Sequence, residues 1–180
     1  AVSGLGGQRL EQLLADTGLA IAIRTGVDSS ILGGPHGALD QAEGMATLAG
    51  AQCTRLRVNV ASHTPWMREA AQDFARTLAQ VPFEPPRCQL FGSAGDRIRD
   101  AAAARLGLSA QIDHTVRWDE CMDHLAARQV ACLLEIGPGQ ALARLWNQRF
   151  PAIPARACDD FRSVAAIAAW VNGLSGLDRR

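Results

Sequence analysis

"LAIAIRTGVDSSILGG", residues 19–34, holds two apolar runs, LAIAIRT and SSILGG, on either side of a short turn at Gly26 to Asp28. Short runs rich in Ile, bounded by Gly and Asp, read as a pair of strands. Before them, "AVSGL" is a short apolar strand and "GGQRLEQLLADTG" a helix, with Leu10, Leu13 and Leu14 at helical spacing and Gly18 as the stop. After them, "HGALDQAEGMATLAG" places Leu39, Ala42, Met45 and Leu48 along one side of a second helix. "QCTRLRVNV", residues 52–60, alternates Arg55 and Arg57 with Leu56 and Val58 and reads as a further strand. The order is βαββαβ, the pattern of a ferredoxin-like small subdomain over residues 1–58. A two-layer unit of about 58 residues buries little surface and is expected to lean on something larger.

From residue 59 the pattern changes. Thr64 is placed to cap a helix with Pro65 in its first turn, and Met67, Ala70, Ala71, Phe74 and Leu78 line one face of that helix. "PPRCQLFGS" reads as a strand, "GDRIRDAAAARLGL" and "RWDECMDHLAARQ" as helices. "VACLLEIGPG" is almost continuously apolar, as a strand buried on both faces would be. "GQALARLWNQRF" is a helix, "IPARACD" a strand and "FRSVAAIAAWVNGL" a closing helix. Strands alternating with helices predict a parallel sheet, of only about three strands over residues 59–180. The fold class is α/β (α+β).

Composition narrows the function. The chain has 180 residues, 48% hydrophobic and 20% charged, with a formal net charge of zero. Every positive side chain counted is Arg, none stands in a basic run, and no net positive field exists to attract nucleic acid. The five cysteines (Cys53, Cys88, Cys121, Cys132, Cys158) are scattered without a C-x-x-C pair. That argues against a disulfide framework or a zinc site, and for small buried hydrophobes in a reducing, cytoplasmic setting. No apolar run has membrane-spanning length and no secretory signal opens the chain. The opening "AVSGLGG" reads like the middle of a protein.

"NVASHTPWM", residues 59–67, carries the strongest chemical signal. His63 stands between an expected strand end and a helix, after the small residues Ala61 and Ser62. The carboxyl ends of strands are where such folds place their sites. A general base needs a nucleophile to activate, yet no G-x-S-x-G elbow exists: "FGSAG" and "GLSGL" lack its spacing. "EIGPGQAL", residues 135–142, turns a buried strand into a helix and serves chiefly as a compact connection. In "AQIDHTVRWDECM" the polar Gln111, Asp113 and His114 precede a helix, where capping is the plain role. His114 and His124 make no metal-ligand spacing, and His36 sits in a turn. Trp66, Trp118, Trp146 and Trp170 are read as core or interface anchors.

Three of these stretches together resemble the malonyl-CoA:acyl-carrier-protein transacylase family: "VASHTPWM", "QIDHTVRW" and "LLEIGPGQAL". The tail "IPARACDDFRSVAAIAAWV" is similar in particular to the acyltransferase subunit of malonate decarboxylases. The resemblance covers nearly the whole chain but only the second part of a family member. It implies a ferredoxin-like small subdomain inserted in an α/β-hydrolase-like parallel-sheet domain, of which residues 59–180 are the C-terminal portion. It also implies a ping-pong transfer of a malonyl group from malonyl-CoA to the phosphopantetheine-type thiol of an acyl carrier protein. His63 falls on the family's histidine and Gln111 on the residue whose carbonyl holds that imidazole. The nucleophilic serine of the family precedes this region, so an N-terminal part of the same acyltransferase is the implied partner, and the chain alone is expected to be inactive. No cofactor, metal, nucleic acid or membrane enters the implied reaction.

Where the family often carries an Asn-rich run, this chain has "AIRTGVDS". Arg24 and Thr25, with Ser62 beside the histidine, are therefore the residues implied to contact substrate, and methylmalonyl stays open beside malonyl. The competing reading is a non-catalytic module that docks a carrier protein or a partner subunit.

Overall fold

The structure is a computed structural model and describes residues 1–175. It is a mixed α/β chain that falls into two compact units, Ala1–Cys121 and Met122–Arg180. In the first unit, β1 (Val2–Ser3), α1 (Gly7–Thr17), β2 (Ala20–Arg24), β3 (Ser29–Gly33), α2 (His36–Leu48) and β4 (Gln52–Cys53) follow the expected order. The sheet runs β4-β1-β3-β2-β7, where β7 is Val116–Arg117. Its first four strands are antiparallel neighbours and β7 lies parallel to β2. The helices cover this sheet because their leucines and alanines recur at helical spacing: Leu10, Leu13, Ala42 and Ala46 join Val2, Leu5, Leu19 and Ala51 in one core. Gly18 ends α1 with φ of 68°, its N–H on the carbonyl of Leu14.

Several expectations change. β4 stops at Cys53 instead of running to Val60, and it pairs only with β1. Ala1 and Thr54 exchange backbone hydrogen bonds of 2.7 and 2.9 Å, and the chain continues from there without a ladder. Leu56, Val58 and Val60 therefore stay exposed. Leu48 is 91% exposed where a core position was expected. It lies nine residues after Leu39, which at about 100° per residue is the opposite side of the helix, and Ala46 takes the inner position.

"PPRCQLFGS" yields no parallel strand. Only Leu90–Phe91 (β5) is extended, paired antiparallel with Arg97–Ile98 (β6), residues expected to be helical. Asp100 then caps α4 (Ala101–Asp113), accepting the N–H of Ala103 at 2.8 Å, so the helix begins after the hairpin. α3 (Arg68–Ala79) packs on α4, where Arg105 donates to the carbonyls of Leu78 and Val81 at 3.0 and 2.8 Å. α5 (Trp118–Ala126) follows β7 directly.

The second unit contains β8 (Leu133–Glu135) and β9 (Ala155–Ala157), parallel as expected, with α6 (Ala141–Arg149) packed on both and α7 (Val164–Ser175) closing the described chain. Trp146 is fully buried here, with its indole N–H on the carbonyl of Ile153 at 2.8 Å. The Gly-Pro-Gly turn is tied from two sides. The Gly139 N–H donates to Asp159 and the Gln140 amide to Asp160, at 2.9 and 2.7 Å. Glu135, buried at the end of β8, accepts the Ala143 N–H at 2.8 Å and so satisfies a free donor of the first turn of α6. Of "GLSGL", Gly176 and Leu177 lie outside the described residues. Among the described residues no helix is long and apolar enough to cross a membrane. Cys88 is exposed, against the expectation that each cysteine is buried, whereas Cys121 is buried with its thiol on the Gly92 carbonyl.

Candidate active site

His63 does not follow a strand. It ends an irregular segment that begins at Thr54, bends at Arg57 and Val60, and enters a short 3-10 turn, Pro65–Met67, that leads into α3. Thr64 is wholly buried and does not cap this turn with its side chain. Its hydroxyl donates back to the carbonyl of Ala61 at 2.5 Å, which folds the loop on itself. The loop is seated on the end of β3. A Cβ on Gly33 would meet the Thr64 methyl at 3.0 Å, and one on Gly34 would lie 3.1 Å from the Trp66 ring. Trp66 is thus a half-exposed cover over Gly34 and no core anchor. The lack of a Cβ at Gly34, and less stringently at Gly33, allows this approach.

The His63 backbone is left-handed, with φ of 63°. That conformation is uncommon for a residue with a Cβ and costs about 1 kcal/mol, so other contacts must impose it. Two carbonyls at the end of α4 do so. The His63 N–H donates to Ile112 at 2.8 Å, and its ring Nδ1 lies 2.5 Å from the Gln111 carbonyl. The last carbonyls of a helix have no partners within it, so they are free to accept from another segment. A carbonyl can only accept, which places the ring proton on Nδ1 and leaves the Nε2 lone pair available.

His63 and Ser62 line a cleft of about 650 Å³. Its walls come from β2 and β3 (Ala22, Ile23, Ile31, Leu32), from α2 (Leu39, Glu43) and from the irregular segment after β4 (Leu56, Val58, Asn59). The residues contributed by the sheet are mainly apolar, and His36, Glu43, Arg55 and Asn59 add polar groups to the lining. His36, read from sequence as a turn residue, is the first residue of α2 and one of the residues lining the cleft.

Arg24 and Thr25 are not among the residues lining the cleft. The Arg24 guanidinium contacts Asp119 at 3.2 Å and also pairs with Glu120. The Thr25 hydroxyl donates to the Ser29 carbonyl at 3.1 Å within the β2–β3 turn. Asp113 is taken up by His114, whose Nδ1 is 2.6 Å away. Among the described residues no cluster of three or more His, Cys, Asp or Glu is arranged to hold a metal ion.

No family model matches the chain. The malonyl CoA-acyl carrier protein transacylase of Salmonella typhimurium is 30% identical over 138 residues, which are 76% of this chain and 45% of that protein. The chain spans about half the length of the curated relatives it matches. Among solved structures, MCAT from Mycobacterium tuberculosis superposes with a TM-score of 0.85 at 28% identity, over 96% of this chain and 56% of that one. An acyl carrier protein S-malonyltransferase from Vibrio cholerae gives 0.82 at 27%, over 94% and 56%.

Proposed function

We propose that this chain is the base-carrying part of a malonyl-CoA:acyl-carrier-protein transacylase, acting with a serine supplied by polypeptide outside it. The observation that carries this reading is the histidine itself. His63 borders an open cleft in an unfavourable backbone conformation, with Nδ1 committed to the Gln111 carbonyl. Strained residues persist where the surroundings over-determine them, and they cluster at sites of chemistry. A docking module has no need of such a ring. The similarity to the transacylases fits the same reading.

In the proposed cycle, Nε2 of His63 accepts the serine hydroxyl proton as the serine oxygen bonds to the thioester carbon. The carbon–sulfur bond to CoA breaks and the departing sulfur takes the proton from the imidazolium. In the second half, the carrier-protein thiol gives its proton to Nε2 and attacks the serine ester. The carbon–oxygen bond breaks and the serine regains the proton. The Gln111 carbonyl does the orienting work that a carboxylate does in other triads. Being neutral, it stabilises the imidazolium less than a carboxylate would. No resident cofactor is needed.

The same reading takes residues 1–58, with their β4-β1-β3-β2 order, as a ferredoxin-like subdomain, and residues 59–180 as the closing portion of an α/β-hydrolase-like domain. Ser62 is small and leaves the cleft wide beside the base. Arg24 and Thr25 enter as the replaced polar set behind it. The tail supports the narrower assignment to a malonate decarboxylase acyltransferase subunit, and free thiols fit a cytoplasmic setting.

The test is His63→Ala in the polypeptide that joins this chain to the serine segment, assayed for malonyl transfer to a carrier protein. A loss of roughly 10²–10⁴-fold with folding intact is expected. A rate within a few-fold of the unsubstituted enzyme would refute the reading.

A further inference from the structure

Two segments meet at His63, and each is fastened to a different strand. The loop bearing the histidine sits on β3, through Thr64 against Gly33 and Trp66 against Gly34. The α4 carbonyls that receive it belong to a helix whose continuation reaches β2. There the Thr115 hydroxyl donates to the carbonyl of Ile21 at 2.6 Å. β2 and β3 are paired with Ala20 opposite Gly33 and Ile21 opposite Leu32. The connections therefore close a ring: His63 to Thr64, Gly33 to Ala20, Ile21 to Thr115, and back through Ile112 and Gln111 to His63.

The sheet holds the separation of the two segments, and the Thr115 hydroxyl fastens the carbonyl side of the ring to it immediately after α4, ahead of the β2–β7 pairing. A second clasp lies just beyond. Arg24 stands opposite Arg117 in the β2–β7 pair and its guanidinium holds Asp119 and Glu120. Arg117 joins Glu120 at 3.2 Å. Along its body α4 packs mainly on α3, which itself follows the histidine loop, and to a lesser extent on the Pro65–Met67 turn and β6. Without the Thr115 contact, the first tie between the end of α4 and β2 is the backbone pairing of Val116 with Ile23, so the α4 carbonyls lose the fastening that follows them most directly.

We propose that Thr115 is a positioning residue for the base: its bond to Ile21 sets the Gln111 carbonyl against Nδ1 and so fixes the tautomer that leaves Nε2 free. Arg24, through Asp119 and Glu120, reinforces the same placement from the next turn of chain. This rests on the reading of His63 as the general base, but it makes a claim about the ring that needs no activity to test.

The experiment is a two-bond ¹⁵N–¹H correlation spectrum of this chain at alkaline pH, where imidazoles are neutral, with His63 assigned by comparison with His63→Ala. Unrestrained imidazole favours the Nε2–H tautomer, so a held ring is distinguishable from a released one. In the unsubstituted chain, His63 is expected as Nδ1–H. Thr115→Val should shift the tautomer ratio toward Nε2–H by roughly fivefold or more, since one hydrogen bond is lost. Thr115→Ser, which keeps the hydroxyl, should restore the original spectrum. Arg24→Gln should shift the ratio in the same direction by less, and it reads the same placement if Thr115→Val does not fold. A Thr115→Val or Arg24→Gln spectrum identical to the parent overturns the positioning role and leaves the proposed function standing. An Nε2–H ring in the unsubstituted chain overturns both this inference and the orienting role of Gln111.

Discussion

The methyl group of Thr64 lies where a Cβ on Gly33 would come within 3.0 Å of it, at the very end of β3. The contact holds the histidine loop down on the sheet while the Thr64 hydroxyl closes the loop onto Ala61. It is a packing relationship between a strand and a loop 31 positions further along the chain (64 − 33). The reach of His63 toward α4 depends on it.

Gly34 is the more demanding neighbour, because a Cβ there would stand 2.5 Å from the Leu19 side chain and 3.1 Å from Trp66. Gly34→Ala is expected to destabilise the first unit by about 1–3 kcal/mol, the range for overpacking. Gly33→Ala, whose neighbour must give by only a few tenths of an ångström, should cost less. Urea unfolding of the two variants checks the order, and equal midpoints would contradict the packing account.

The left-handed backbone at His63 makes a separate stability prediction. Glycine adopts φ near 63° without penalty whereas alanine does not. His63→Gly should therefore be more stable than His63→Ala by roughly 0.5–1 kcal/mol, reversing the usual order in which glycine is the worse choice. Both variants lose the ring, so the comparison isolates the backbone. Thermal unfolding of the pair reads it directly.

Glu135 works within the second unit. Its carboxylate accepts the Ala143 N–H from a buried position, so Glu135→Ala leaves that donor without a partner. The expected cost is about 1–3 kcal/mol. Glu135→Gln, which keeps an acceptor oxygen at the same reach, should recover most of it. A Gln variant no more stable than the Ala variant would show that charge, and not the acceptor, is what matters.

The thiols divide by burial. Cys88 is exposed and Cys121 is buried, where desolvation, ahead of its other influences, raises the Cys121 pKa above the ordinary value of 9.0. A thiol reagent should modify Cys88 in the folded chain and reach Cys121 only on unfolding. The linkage follows from the raised value. The unfolded thiol ionises first, so the folded state holds the proton more tightly. This contribution is fully present below the unfolded pKa and is lost as pH rises through and beyond 9.0 toward the folded pKa. Cys121→Ala should flatten the alkaline limb of the stability profile.

How the site reads from sequence depends on which contacts are local. His63 stood out because two small residues precede it and Thr-Pro follows it. Gln111 did not: it entered through the family resemblance, since only its backbone carbonyl is used and every residue has one. Thr115 and Ile21 are 94 residues apart and give no sequence sign of their bond. His36 passed as a turn residue because its place in the cleft lining depends on residues distant in sequence, such as Ile31 and Val58, coming to the same cleft.

By itself the sequence determined the βαββαβ order, the inner faces of α1 and most of α2, the stop at Gly18 and the β8–β9 alternation with α6. Those features follow from periodicity and backbone preference, which act between residues a few positions apart. Only the tertiary structure decided that β4 stops at Cys53, that Leu90–Phe91 turns into a hairpin, and that β7 joins the first sheet. It alone decided that His63 takes a left-handed backbone under two helix-end carbonyls. Each of those outcomes depends on which backbone groups find partners across the fold, and spacing along a chain carries no record of that.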